Sequence, residues 1–226
     1  MRKNFGKKTW VFPCPVLIIG TYDDKGNPDA MNAAWGGVYD TNQVMLCLSD
    51  DHKTAKNILL KKAFTVSFAD AKHVVEADYV GIVSGNNVPD KLVRAGLRSV
   101  KSEFVDAPLL TDFPLAIECE LDHVNEDGMI VGNIVNVSAD ESVLDAKGNV
   151  DLGKAGIITY NSAQHDYRWN SSTVSTPENL KLNIPGNFPH SISLRLILWP
   201  QPAFTVKNPT SSISVSKQNP KTTIRR

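Results

Sequence analysis

Two ten-residue β-rich runs, Leu115–Val124 and 129–138, flank the turn Asn125-Glu126-Asp127-Gly128. An Asp-Gly step is a strong hairpin signal, because glycine accepts the positive φ that a tight return needs. A chain carrying this pair is expected to fold it as a long antiparallel hairpin, around which the other elements must be laid.

Upstream, Val16-Leu17-Ile18-Ile19-Gly20-Thr21-Tyr22 is a short β run stopped by the turn formers Asp23-Asp24-Lys25-Gly26-Asn27-Pro28. This predicts a second hairpin returning over 29–35, after which Gly36-Gly37 lets the backbone turn or another group come close. Further strands are expected at 43–48, 63–68 and 156–160, the last following 144–149 with its turn-like Lys147-Gly148-Asn149. The polar Ser49-Asp50-Asp51 is placed to cap a helix over 52–62, with Ile58, Leu59 and Ala55 on its apolar face. Helices are also expected over 70–80, with Asp70 as N-cap, and over 90–97 behind Pro89. Six or seven strands in hairpin order, with no repeated strand-helix-strand unit, argue for an antiparallel barrel rather than a doubly wound sheet.

The 226 residues suffice to bury a real core, so a disulfide-stapled mini-protein is excluded. Lys+Arg and Asp+Glu are both 24, giving no global electrostatic case for nucleic acid or an anionic membrane. The balance shifts after Trp169: residues 170–226 hold seven Lys/Arg against the single acid Glu178, with 15 Ser/Thr, seven Pro and one Gly. Two regions are therefore expected, a domain over 1–169 and a Ser/Thr/Pro-rich tail over 170–226. With one apolar run, 192–199, the tail is expected to be largely disordered. Cys14, Cys47 and Cys119 are odd in number and form no CxxC, as expected of buried thiols in a reducing compartment. Pro13 and Pro15 interrupt the apolar stretch behind the basic N-terminus, and no run approaches the ~20 apolar residues of a membrane helix. The expected location is cytoplasmic. The five histidines lack HExxH spacing, so no metal site is indicated. GxGxxG after a strand and the Walker phosphate loop are both missing, and Gly81-Ile82-Val83-Ser84-Gly85 has one residue too many for a nucleophile elbow.

Three segments keep backbone accessible beside polar side chains. Asn32-Ala33-Ala34-Trp35-Gly36-Gly37 offers small residues and a flat aromatic surface, or is simply core and turn. Ser49-Asp50-Asp51-His52-Lys53-Thr54 opens a helix whose free N–H groups, with Lys53 and Thr54, suit a phosphate; plain capping by the aspartates is the competing explanation. Ser84-Gly85-Asn86-Asn87-Val88-Pro89-Asp90-Lys91 is a loop ending in a cation that can neutralise an anion; taken alone it is merely a loop.

In order, these segments resemble the flavin reductase-like, FMN-binding split-barrel family that includes flavoredoxin. The likeness rests on Pro15-Val16-Leu17-Ile18-Ile19-Gly20-Thr21, Met31-Asn32-Ala33-Ala34-Trp35, then Ser49, Lys53, Thr54, Asn57 and Ile58. It continues with Ser84, Gly85, Asp90 and Lys91, Ala107-Pro108-Leu109 and Glu118-Cys119, covering about residues 10 to 168. Two departures stand out: Ser67 replaces an Asn common in relatives, and the closing segment gives way at Trp169 to the tail, as a shifted reading frame or a fused extension would produce.

The resemblance implies a mainly β fold, an antiparallel Greek-key split β-barrel with a few short helices. It implies bound FMN, with Asn32, Ala33, Ala34 and Trp35 at the isoalloxazine and ribityl, Ser49, Lys53 and Thr54 at the phosphate, and Ser84, Gly85 and Lys91 closing over the flavin. No catalytic residue is singled out, because the cofactor carries the chemistry. The implied activity is a flavoprotein oxidoreductase moving electrons from NAD(P)H to a free flavin, an iron-sulfur protein or another redox protein, in a homodimer. The alternatives are a non-catalytic flavin-binding electron carrier and an apo interaction module.

Overall fold

The computed structural model describes residues 1–169 and the backbone of Ser172–Ser175. In chain order the elements are β1 (Cys14–Pro15), β2 (Leu17–Tyr22), β3 (Pro28–Ala33), β4 (Gly36–Asp40), β5 (Gln43–Leu46), α1 (Lys53–Lys61), β6 (Ala63–Phe68), α2 (Val74–Ile82) and α3 (Lys91–Arg94). There follow β7 (Ser99–Lys101), β8 (Pro108–Leu110), β9 (Leu115–Val124), β10 (Ile130–Ala139), a 3-10 turn (Glu141–Val143), α4 (Leu152–Ala155), β11 (Thr159–Asn161), β12 (Asp166–Trp169) and β13 (Ser172–Ser175).

The β9–β10 hairpin forms as its sequence dictates, with Leu115 opposite Ala139 and Val124 opposite Ile130. It lies inside a seven-stranded sheet of order β3-β2-β6-β9-β10-β5-β4 in which all pairs are antiparallel. The two edges, β3 and β4, are consecutive in the chain and joined only through Ala34 and Trp35. Laid flat, seven strands about 4.8 Å apart would separate those edges by about 29 Å. Three Cα steps from Ala33 to Gly36 span at most about 11 Å, so the sheet must curl into a split barrel. The seam is tight: a Cβ on Gly36 would lie 2.9 Å from Met45 O and 3.0 Å from Leu17 Cδ1, across from the opposite edge. Gly36 therefore serves close approach within β4, whereas a Cβ on Gly37 would meet nothing within 4 Å, and the return over 29–35 ends at Ala33.

The unbroken apolar run of β2 is explained by burial on both faces. Leu17 and Ile19 point into the barrel with Met31, Leu46, Phe64, Val66, Cys119 and Ile130. Val16 and Ile18 point outward, where α2, Leu92, Leu110, Phe113, Ile158 and Tyr167 cover them. Period-two alternation thus assigns one strand to two cores. Cys119 is fully buried and burial pushes its thiol up to about 12, whereas Cys14 and Cys47 are half-buried.

Several expected boundaries move. α2 begins at Val74, not near residue 70, because residues 69–71 pair instead with 156–158: Ala71 N donates to Gly156 O and Ile158 N to Ala69 O. Asp70 then caps the turn, accepting from His73 N at 2.9 Å. α3 stops at Arg94, and Gly96 at φ +77° ends that segment. On α1 the buried stripe is Thr54, Ala55, Asn57 and Ile58, which leaves the expected core residue Leu59 exposed. Asn57 is held inward by its amide, which donates to Thr21 Oγ1 at 3.0 Å. A four-stranded sheet, β1-β11-β12-β13, continues through Ser172–Ser175, past the compositional boundary after Trp169. The remainder of the expected tail, including 192–199, lies outside the described residues.

Gly132 sits at a bulge in β10, where an added Cβ would meet Phe64 Cζ at 2.4 Å. Phe64 is fully buried, so Gly132→Ala is expected to cost about 1–3 kcal/mol by overpacking. A urea denaturation curve measures this, and an unchanged midpoint would contradict it.

Candidate functional site

Two of the three segments singled out from sequence, the start of α1 and the loop leading to Lys91, meet at one buried carboxylate. Asp29, on β3 and 0% exposed, accepts through Oδ2 from Thr54 Oγ1 at 3.2 Å. Its Oδ1 lies 3.6 Å from Lys91 Nζ, and a Cβ on Gly85 would fall only 2.5 Å from that same oxygen. Asp29 thereby ties together the start of α1, the 84–90 loop and α3. Asn86 Nδ2 adds a direct bond between the loops, donating to Asp51 O at 3.1 Å.

Lys91 is not a free cation. It is 2% exposed, and its ammonium donates to Val80 O and Val83 O, both at 3.1 Å, besides pairing with Asp29. Burial lowers its pKa, while Asp29 opposes that shift. The expected direct contact of Lys91 with a phosphate or ring is thus unavailable; the side chain closes the C-terminal end of α2 and holds the loop in place.

The start of α1 retains what a phosphate requires. His52 is the N-cap residue and provides no side-chain cap, and among the described residues the backbone N–H groups of Lys53, Thr54 and Ala55 have no acceptor. Lys53 Nζ stands 3.4 Å from Asp23 Oδ2, in a turn where Asp23 also accepts from Lys25 N and Asn27 N. The hydroxyl of Thr54 is committed to Asp29, so its contribution to an anion would come from its N–H. A hydrogen bond from Ser49 and the neighbouring His52 keep Asp51 below the usual carboxylate range. Burial lowers the pKa of His52, which favours a neutral imidazole at this helix start.

Asn32, Ala33, Ala34 and Trp35 occupy the end of β3 and the seam. Ala33 is buried, while Asn32, Ala34 and Trp35 are half-buried. Cys14 Sγ donates to Ala34 O at 3.3 Å and Cys47 N to Trp35 O at 2.8 Å, pinning both carbonyls. Behind Asn32 lies a pair that sequence reading missed: Tyr167 OH donates to Asp78 Oδ1 at 2.7 Å, and Asn32 Nδ2 donates to Tyr167 OH at 3.4 Å and to Ala77 O at 3.1 Å. Asp29 was also missed, although a lone acid within a β run is a legible signal. Ser67 is fully buried between Ile18 and Ala116, and its Oγ has no hydrogen-bond partner among the described residues.

Burial raises the pKa of Asp78, and the bond from Tyr167 only partly offsets this. A carboxyl with a raised folded-state pKa holds its proton in the folded protein at pH values where the unfolded chain has lost it. Its ionisation therefore removes stability as pH rises from the unfolded value through the folded one. Asp78→Asn, which keeps an acceptor for Tyr167, is expected to flatten that decline. Thermal denaturation from pH 4 upward is the check, and parallel curves for both proteins would refute it.

A separate cavity of about 240 Å³ is lined by Asp70, His73, Asp112 and Asp140 among others. Those carboxylates are already engaged, by His73, Arg98 and Ser142 N respectively. Among the described residues no group of three or more His, Cys, Asp or Glu is placed to hold a metal ion, and no helix is long and apolar enough to cross a membrane.

Residues 9–164 match the family model described as flavin reductase like domain. The chain is similar to the flavoredoxin of Desulfovibrio vulgaris (Miyazaki F), with 34% identity and a TM-score of 0.73, covering 78% of this chain and 97% of that one. It shares its fold with flavoredoxin from Methanosarcina acetivorans at 23% identity and a TM-score of 0.67, covering 78% and 92% respectively. An uncharacterized protein of Aeropyrum pernix is 30% identical over 117 residues, which is 50% of this chain and 44% of that protein's length. With its barrel, its seam and the three segments singled out from sequence all inside the matched region, this chain belongs to the flavin reductase-like domain family.

Proposed function

We propose that this protein binds FMN and passes electrons from NAD(P)H through it to a free flavin, an iron-sulfur protein or another redox protein. The observation that carries the reading is the convergence on Asp29 of the α1 start and the 84–90 loop, beside the Asn32–Trp35 segment, within a flavin reductase-like domain. The residues present fit the cofactor. Free N–H groups at Lys53, Thr54 and Ala55 and the Lys53 ammonium, shared with Asp23, would hold the phosphate at the positive end of α1, joined by the Ser49 hydroxyl once it turns from Asp51. Asn32, Ala34 and the backbone of Ala33 would lie along the ring and ribityl, and Trp35 offers an apolar face. Ser84 and Gly85 cover them, while Lys91 acts from beneath by fixing that loop.

When bound, FMN supplies acceptance of a hydride from a nicotinamide and release of electrons to the acceptor. The protein's contribution is to orient the ring at the seam and to exclude water from one face. Two copies of the chain forming the working unit fits the exposed Val135 and Val137 on β10 and the exposed Val38 and Tyr39 on β4. Light scattering at twice the chain mass is the expected result. A cytoplasmic setting suits three free thiols.

The likeness to a flavoredoxin favours one second reading, an electron carrier without its own reductase activity. Adding FMN, desalting and recording the visible spectrum, then adding NADH or NADPH anaerobically, separates these. Retained bands that bleach support the oxidoreductase. Bands that stay support the carrier, and a colourless protein refutes flavin binding.

A further inference from the structure

Asn32 is the point at which the buried Asp78–Tyr167 pair reaches the candidate site. Its amide orientation follows from its neighbours. Ala77 O can only accept, so the group facing it at 3.1 Å must be the NH2. The Tyr167 hydroxyl has one proton, which it gives to Asp78 Oδ1 at 2.7 Å, and this turns a lone pair toward Asn32 Nδ2 at 3.4 Å. Both nitrogen donors are then spent inward, and among the described residues nothing donates to Asn32 Oδ1. Tyr167 and Asp78 are buried, while Asn32 is half-buried, which places the unused oxygen at the edge of the seam. Gly81 lets α2 pack directly against Asn32: an added Cβ there would lie 2.9 Å from Asn32 Cβ.

We propose that Tyr167 and Asp78 are positioning residues that lock the Asn32 amide nitrogen-inward, so that Asn32 Oδ1 selects ligands carrying an N–H or O–H donor at that point. The inference rests on the flavin reading above, within which the donor is the ring N3–H or a ribityl hydroxyl. An unlocked amide could rotate and present either end; a locked one rejects an acceptor and rewards a donor.

Two measurements test it. In the flavin-free protein, the side-chain NH2 of Asn32 is expected to exchange with water at least about tenfold more slowly than surface asparagine amides, because both protons are bonded. Tyr167→Phe and Asp78→Ala should erase that protection, and Asp78→Asn, which keeps an acceptor for Tyr167, should preserve it. Wild-type exchange as fast as that of surface asparagines overturns the lock whether or not flavin binds. Second, Asn32→Ala and Tyr167→Phe are expected to weaken FMN binding about tenfold, the scale of one hydrogen bond. The same substitutions should leave unchanged the affinity of whichever analogue lacks the donor: 3-methyl-FMN for the ring N–H, lumiflavin for the ribityl hydroxyls. Equal losses with FMN and both analogues overturn the selection. A wild-type protein that retains no flavin overturns both the selection and the flavin reading, while leaving the exchange result to decide the lock.

Discussion

Lys91→Met is expected to destabilise the protein by about 3–5 kcal/mol, the cost of breaking a buried ion pair from one side. Asp29 would be left at 0% exposure without its cationic partner and with only the Thr54 hydroxyl as donor, and Asp29 Oδ1 already lacks a hydrogen bond. Two carbonyls at the end of α2, Val80 O and Val83 O, would lose their donor at the same time. Against a typical total of 5–15 kcal/mol, this removes a large share of the stability. Removing both charges together, as in the double variant of Lys91→Met with Asp29→Asn, should recover much of the loss, because no uncompensated charge is then left inside. Urea denaturation of the two variants is the measurement. A single-variant loss below about 1 kcal/mol, the range of an exposed pair, would mean that water reaches Asp29.

Gly85→Ala is expected to slow NAD(P)H-dependent flavin bleaching by on the order of 10²-fold, the penalty of a roughly 1 Å misplacement around a reacting centre. The new methyl group would fall 2.5 Å from Asp29 Oδ1. Asp29 cannot yield readily, being held between Thr54 and Lys91. The loop must therefore retreat, and through Asn86 it pulls on Asp51 O beside the start of α1. One methyl group thus disturbs the proposed cover and the proposed phosphate cradle together. Anaerobic stopped-flow at the flavin band gives the rate, with a denaturation curve to show that the variant is folded. A folded variant bleaching at the wild-type rate would place Ser84 and Gly85 away from the reacting ring.

Local pattern accounts for much of the fold. β6 and β9 fall on the residues expected from β-rich runs and the Asp-Gly turn, because strand alternation and turn chemistry are properties of neighbouring residues. The start of α2 departs from the local expectation because backbone groups of 69–71 pair with 156–158, a partner no local window contains. Leu59 was assigned to the core because apolarity alone cannot register that Asn57 has Thr21 to bond.

The candidate site divides the same way. Small residues beside Trp35, a polar helix start with Lys53, and a Ser84-Gly85 loop ending in Lys91 are all legible in the chain, and their order carries the family. What each does depends on what lies opposite. Lys91 reads as a phosphate-neutralising cation until folding buries it against Asp29, 62 positions earlier in the chain. Asn32 reads as a polar residue at a strand end until Tyr167, 135 residues away, and Asp78 orient its amide. Sequence by itself determined the two hairpins, β5 and β6 but not β4, β7, β8 or β12, and it singled out the segments proposed to meet a flavin, since propensity and turn geometry act over a few residues. Tertiary structure alone decided which charges are buried and which amide end faces outward, because desolvation and hydrogen-bond partnership arise only when distant segments exclude water between them.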